Sequence, residues 1–321
     1  MIDIRTGDCL EVLRTLPDSY AHTCITSPPY FGLRDYGVDG QIGLEQTPAE
    51  YVAKIVEVFR EVRRVLRDDG TLWLNLGDSY SVKSTYNAAQ SLHTANDWKQ
   101  AGENKNTAYE RTCGVPAKNL LGIPWRVAFA LQDDGWYLRQ DIIWSKPNPM
   151  PESVRDRCTK AHEYLFLLSK NEKYYFDAGA IREPEVCGRK RGPAEHPDKV
   201  STNGNSGLAR RESDGFRNKR SVWTVTTKPF KGAHFATFPP DLIEPCVLAG
   251  CPAGGMVLDP FGGAGTTGLV AQQHGRHATL IELNPEYAAM ARERVCRLAA
   301  IDKHRSRKVD PLTMAQGSLF A

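Results

Sequence analysis

Paired metal-ligand cysteines are missing from this chain. Its eight cysteines include no Cys-x-x-Cys, and the closest approach is Cys246 with Cys251. That scatter argues against a zinc site or a disulfide framework and for reduced thiols, so a cytoplasmic protein with no structural metal is expected. Long apolar runs are missing too. None approaches the ~18 residues a membrane span requires, and Met1-Ile2-Asp3-Ile4-Arg5 lacks the basic-then-apolar order of a secretion signal. No membrane partner is therefore expected. Surplus charge is the third absence: the net charge is +3 over 321 residues, so a nucleic-acid partner has to be met by local patches rather than by the total. The remainder is ordinary for a globular protein, 41% hydrophobic and 25% charged, and long enough to bury a substantial core in one large domain or two.

The stretch that organises the rest is Thr26-Ser27-Pro28-Pro29-Tyr30. Ahead of it, Ala21 to Ile25 is short, mostly apolar and partly β-branched, the pattern of a buried strand. Two consecutive prolines have no N–H to donate, so the strand ends in a stiff, extended turn. Such a turn presents the Ser27 hydroxyl, the carbonyls of Ser27 and Pro28, and the Tyr30 ring at the carboxyl edge of a sheet, where open α/β sheets keep their ligands. Acceptors in a row beside a flat aromatic face suit an amino group on a planar ring. A proline-rich loop with a packed tyrosine is the plainer alternative.

Around that turn the chain alternates strand and helix, which implies a parallel sheet. Asp3 to Arg5 is a short edge-like segment leading into Gly7-Asp8-Cys9, after which Leu10, Leu13 and Leu16 recur at helical spacing. Thr47, Pro48 and Glu50 form a capping box for a helix whose apolar face runs from Tyr51 to Leu66 and which Asp69-Gly70 closes. Thr71 to Leu76 is a second buried strand. Residues 79–119 are a polar insertion, 122–134 a helix, and 136–144 and 163–169 two strands. Residues 183–220 carry nine Lys/Arg, among them Arg189, Lys190, Arg191, Arg210, Arg211, Arg217, Lys219 and Arg220, against six acids. They are either a solvated loop or a flexible basic arm that neutralises phosphates. Helices over 241–249, 266–273 and 285–298 and strands over 256–258 and 277–281 follow, with a loose tail after Ala300.

A second site lies near the far end. Strand Met256-Val257-Leu258-Asp259 runs into Pro260-Phe261-Gly262-Gly263-Ala264-Gly265-Thr266-Thr267, which opens a helix, and Glu282 ends the next strand 21 residues after Phe261. Glycines there permit a tight turn and close approach of a ligand, and a carboxylate at that distance can take two ribose hydroxyls. A dinucleotide needs a second half-site, whereas a nucleoside with an aliphatic arm needs only one, so an adenosyl cofactor is favoured. Asp8 either completes the adenosine pocket or is a plain turn aspartate.

Ser27-Pro28-Pro29-Tyr30 early and Asp259 to Thr266 late together resemble the amino-group DNA methyltransferases, and their order resembles the beta permutation class. The resemblance covers most of the chain. It takes in Gly7-Asp8, Asp69-Gly70 into Thr71 to Asn75, Ile142 to Asn148, His162 to Phe166, and His234-Phe235-Ala236-Thr237-Phe238-Pro239. It implies an α/β fold, a circularly permuted Rossmann-like sheet with helices on both faces and inserted DNA-recognition loops. The catalytic domain would comprise 1–170 and 221–300, with target recognition in 171–220. It further implies S-adenosylmethionine as cofactor, with His234 and Phe235 lining its methionine end, and double-stranded DNA as partner, contacted by Lys146 and the basic arms. A homodimer and a cognate restriction endonuclease are partners that the class admits. Transfer needs neither a metal nor a covalent enzyme intermediate, and Tyr30 would stack on the flipped base.

Within the family, serine ahead of Pro-Pro-Tyr is more often associated with the N4 amine of cytosine than with the N6 amine of adenine. The N6 reaction is the alternative, and a non-catalytic nucleic-acid-binding protein on the same fold is another. Pro245-Cys246 superficially resembles a ring-carbon methylation nucleophile, but it sits on an apolar helix, where a buried structural cysteine is expected. His162 is expected to be structural or to line the cofactor. Trp144 and Lys146 either line the base pocket or simply pack and solvate.

Overall fold

A computed structural model describes residues 1–33, 37–81, 115–185, 214–227 and 238–308. Arg189, Lys190, Arg191, Arg210, Arg211, His234 and Phe235 lie outside these ranges, as does most of the polar insertion.

Eight strands form one sheet. They are β1 (Ile2–Thr6), β2 (Ala21–Thr26), β3 (Leu66–Leu76), β4 (Tyr137–Ser145), β5 (His162–Ser169), β8 (Val222–Thr224), β9 (Met256–Asp259) and β10 (His277–Glu282); β6 (Glu183–Pro184) and β7 (Phe216–Arg217) pair separately. The spatial order is β1-β10-β9-β2-β3-β5-β4-β8. Every neighbouring pair is parallel except those involving β5, which runs against β3 and β4. From β9 the chain winds toward β10, and from β2 it winds the opposite way toward β3. The β2–β9 seam is therefore the point where strand order reverses, and ligands of open α/β sheets bind at the carboxyl ends of such a seam.

Period-two alternation divides the core between the faces. Leu72, Leu74 and Leu76 of β3 pack on one side and Trp73 on the other, and Phe166 and Leu168 of β5 face opposite Leu165 and Leu167. The first face is covered by α1 (Cys9–Arg14), α2 (Pro48–Val65) and α3 (Ile123–Asp133), the second by α4 (Pro240–Gly250) and α5 (Thr266–Gln273). The sixth helix, α6 (Pro285–Lys308), packs along β1 and α5. Burying a ring of the size of Trp73, 1% exposed, removes ~200 Å² from water, worth about 5 kcal/mol. No helix among the described residues is long and apolar enough to cross a membrane.

The capping box forms as expected: the Glu50 amide donates to the Thr47 hydroxyl, and the Glu50 carboxylate accepts from the Thr47 amide. Three boundaries depart from expectation. The helix expected to run to Asp69-Gly70 stops at Val65, because Leu66 already pairs with Ala21. Residues 67–70 are a register shift inside β3, and a Cβ on Gly70 would stand 2.8 Å from the Arg67 carbonyl. The last helix runs past Leu298 to Lys308. The edge strand β8 was not anticipated. It is three residues long and is held by Trp223, which is buried against Trp73 at 6.4 Å.

The seam itself is locked by one carboxylate. Asp259, 1% exposed, accepts from the Thr26 hydroxyl at 2.7 Å and the Phe261 amide at 3.0 Å on one oxygen, and from the Thr267 hydroxyl at 2.6 Å on the other. Burial pushes its carboxyl above the usual range, and the two hydroxyls pull it back. Replacing it by alanine strands two buried hydroxyls and the partly buried Phe261 amide. Asp259→Ala is therefore expected to cost about 3 kcal/mol or more, seen as a lower urea midpoint with an unchanged slope. A wild-type midpoint would show the clamp to be idle.

Candidate active site

Because β2 and β9 are neighbours, the two motifs identified from opposite ends of the chain emerge side by side. Thr26 immediately precedes Ser27, and its bond to Asp259 joins the proline turn to the glycine loop. The turn is rigid. Tyr51 on α2 donates to the Pro29 carbonyl at 2.9 Å, which pins the turn to that helix.

Tyr30 is anchored more firmly than a simple stacking platform. Its ring lies against Gly77, where a Cβ would stand 2.6 Å from the ring, so glycine there makes room for the aromatic face. Its hydroxyl lies 2.7 Å from Glu163 Oε2 and 3.0 Å from Asn75 Oδ1 and accepts from the Ser27 hydroxyl at 3.3 Å. Burial, with Glu163 beside it, pushes the phenol well above its ordinary value. Asn75 Nδ2 reaches the same Glu163 oxygen at 3.2 Å and the Tyr164 carbonyl at 3.0 Å. The reversed strand makes this cluster possible. Since β5 is antiparallel, its first residues arrive at the edge where β3 and β4 end, with Trp144 opposite Glu163 and Ser145 opposite His162.

Lys146 follows β4 directly and pairs with Glu163 Oε1, its ammonium 4.2 Å over the Trp144 ring. Expected as a DNA contact, it is 17% exposed and paired with that carboxylate. Trp144, 4% exposed and donating to the Val225 carbonyl at 2.8 Å, packs rather than lining a pocket. Lys160 donates to the Asp78 carbonyl at 3.1 Å, and burial lowers its pKa. His162 stands edge-on to Tyr164, with 5.4 Å between ring centroids.

In the glycine loop, Gly263 takes a positive φ of 49° and donates its amide to Glu282 Oε2 at 2.7 Å, while Asn284 donates to Oε1 at 2.9 Å. Burial raises the Glu282 carboxyl. Gly265, at φ 77°, is where α6 presses on the loop: a Cβ there would be 2.9 Å from that of Ala291. Gly262 packs as tightly on Leu280. Three residues expected to touch the cofactor also have partners within the protein. Asp259 is consumed by the clamp, Thr267 is fully buried against it, and the Thr266 hydroxyl accepts from Arg294 at 2.9 Å. Side chains that end a buried strand or open a buried helix have their donors and acceptors claimed by the protein. Phe261, Gly263 and Glu282 stay partly exposed at the mouth of the loop. Asp8 caps α1 through the Leu10 and Glu11 amides, at 2.9 and 3.1 Å, while Gly7 donates to the Glu282 carbonyl at 3.0 Å, placing that turn at the same edge.

Of the other basic residues, Arg217 and Arg220 both pair with Glu183, at 2.9 and 2.6 Å, and Lys219 lies 5.0 Å over Trp223. Cys246 is fully buried with its thiol pushed well up, a packed cysteine and not a nucleophile. Sequence reasoning assigned no role to Asn75, Gly77 or Glu163. Their signals were an amide closing an apolar strand and an acid opening one.

The family model for DNA methylases of the N6/N4 type matches residues 21–293, both motifs included. The type II methyltransferase M.Cfr9I of Citrobacter freundii is 49% identical over 289 residues, 90% of this chain and 86% of that one. Among solved structures, the cytosine-N4-specific PvuII DNA methyltransferase superposes with a TM-score of 0.61 at 22% identity, over 91% of this chain and 86% of that one. The M1.HpyAVI–SAM complex does so at 0.53 and 17%, over 92% and 99%; at these identities the likeness concerns the fold. With both motifs meeting at one seam and a close relative along nine-tenths of its length, this chain belongs to the N6/N4 DNA methylase family.

Proposed function

We propose that this protein is a site-specific type II DNA methyltransferase that acts on the N4 amine of cytosine, with S-adenosylmethionine as cofactor. The observation that carries it is the Thr26–Asp259 bond, which sets the Ser27 turn against the glycine loop. The loop fits the cofactor: Gly263 turns with a positive φ that favours glycine and donates its amide to Glu282, whose carboxylate faces the loop ready to accept from ribose hydroxyls. Phe261 offers an apolar face, and the Gly7-Asp8 turn closes the adenosine side. Bound there, S-adenosylmethionine supplies a methyl group already activated by its sulfonium charge.

The chain's own contribution is alignment and electrostatics. A nucleobase amine is a poor nucleophile because its lone pair is delocalised into the ring. Accepting its two N–H bonds at Ser27 and the Pro28 carbonyl favours a pyramidal nitrogen whose lone pair can attack in line. The base must leave its stack to reach the turn, and Tyr30, braced on Gly77, offers a face for it. Serine in place of aspartate ahead of the prolines supports cytosine over adenine. Target recognition is placed in 171–220, with Lys219, Arg220 and the basic clusters Arg189 to Arg191 and Arg210-Arg211 on phosphates.

Methylation of mixed-sequence DNA followed by nucleoside mass spectrometry tests the reading. N4-methylcytosine is expected. N6-methyladenine would move the activity to adenine, and unmodified DNA would refute it. Ser27→Ala is expected to slow methyl transfer on the order of 100-fold or more while cofactor affinity, read by calorimetry, holds. Glu282→Ala should weaken cofactor binding on the order of 100-fold or more, the worth of two charge-assisted hydrogen bonds at about 1.5 kcal/mol or more each. The pH dependence has a definite sign. Only the ionised carboxylate accepts both hydroxyls, so affinity is full above the raised Glu282 pKa and falls as pH drops through it, earlier than for an ordinary glutamate. Calorimetry across that range should show the fall in the wild type and a flat profile in Glu282→Gln.

A further inference from the structure

An amine that accepts a methyl group must shed a proton, and the proline turn alone cannot keep it. Ser27 Oγ is the nearest acceptor, yet a serine hydroxyl can take a proton only by passing its own hydrogen on. That hydrogen is aimed at the Tyr30 oxygen at 3.3 Å. The Tyr30 hydroxyl in turn has two acceptors within reach, Glu163 Oε2 at 2.7 Å and Asn75 Oδ1 at 3.0 Å. Only the carboxylate can hold a proton; the amide oxygen of Asn75 can align the phenol but not accept from it permanently.

Resting on the assignment of Ser27 to the substrate amine, we propose that Ser27, Tyr30 and Glu163 form a proton relay ending at the Glu163 carboxylate, with Lys146 and Asn75 as positioning residues that hold that carboxylate against the phenol. The balance is closed. The amine nitrogen forms its bond to the methyl carbon as the methyl–sulfonium bond breaks, the electron pair of that bond stays on sulfur as a neutral thioether, and the nitrogen loses one proton. Ser27 and Tyr30 each gain one proton and give one up. The Glu163 carboxylate ends as a neutral acid and returns the proton to water between turnovers, through the 16% of its side chain that is exposed.

The surroundings fit a relay. Burial keeps Tyr30 protonated at rest, so the phenol transmits a proton without being stored as phenolate. Lys146 on the other carboxylate oxygen keeps Oε2 turned toward Tyr30. Lys160 adds a second positive charge near Glu163 and Lys146, facing Asp78 and Glu152 as well. Among the described residues, these are the charged groups that act on Lys160 beside that terminus. The distribution of elements explains the assembly: β2 supplies the turn, β3 the amide, β4 the lysine and antiparallel β5 the acid.

The test uses the full-length protein, radiolabelled S-adenosylmethionine and mixed-sequence DNA, with single-turnover rates measured against pH for wild type, Glu163→Gln, Glu163→Asp, Tyr30→Phe and the Tyr30→Phe/Glu163→Gln double variant. Glu163→Gln is expected to slow transfer on the order of 100-fold and to remove the fall in rate at low pH, leaving cofactor affinity unchanged. Glu163→Asp should restore part of the rate and the pH dependence. Tyr30→Phe keeps the ring on Gly77 and should be about as slow, and the double variant no slower than either single one. A Glu163→Gln enzyme with the wild-type pH profile, or a double variant whose losses multiply, would overturn the relay. Calorimetry of cofactor binding reports whether each variant is folded. If the wild type itself transfers nothing to DNA, the proposed function fails; if it is active and the variants match it, only the relay does.

Discussion

A buried carboxylate holds this molecule's chemistry together. Asp259 joins Thr26 at the end of β2 to Phe261 at the start of the glycine loop and Thr267 on α5 after it, the Thr26 bond spanning 233 residues in sequence. Isolated in a dry interior, an ionised side chain is costly, but three donors offset much of that cost and each is itself in need of an acceptor. The two loops are consequently fixed relative to each other by short-range bonds. Catalysis by alignment depends on such fixing, because displacing a reacting group by about an ångström can lose two orders of magnitude in rate.

Strand order explains why a carboxylate can do this. The cofactor strand comes late in the chain and the catalytic strand early, yet they are neighbours where winding reverses. A single reversed strand, β5, completes the arrangement by bringing an acid to an edge that otherwise receives only strand carboxyl ends. Had β5 been parallel, Glu163 would lie at the far edge of the sheet, remote from Tyr30.

Much of this was legible in the residues, and the limits have physical causes. Local signals carried well: Thr47 and Glu50 announce a helix start, two prolines end a strand, and glycines before Thr266 open α5. Partnerships between distant segments did not carry. Nothing in Leu66 shows that Ala21 will recruit it into a strand, and nothing in Thr266 shows that Arg294 will claim its hydroxyl. Lys146 illustrates the same limit, since a lysine beside a proline-rich stretch reads as a surface charge until β5 brings Glu163 to it. The cofactor motif was recognised as a unit, but which of its members meet a ligand depends on which are already hydrogen-bonded internally.

Gly265 carries a wider consequence. Its Cα faces Ala291 so closely that the backbone of α6 forms the rear wall of the cofactor loop. Any enlargement of residue 291 has to be absorbed by the loop moving forward or by the helix backing away. The position of that loop is thus partly written into a helix that stands behind it, and a change at residue 291 reaches the loop through packing alone.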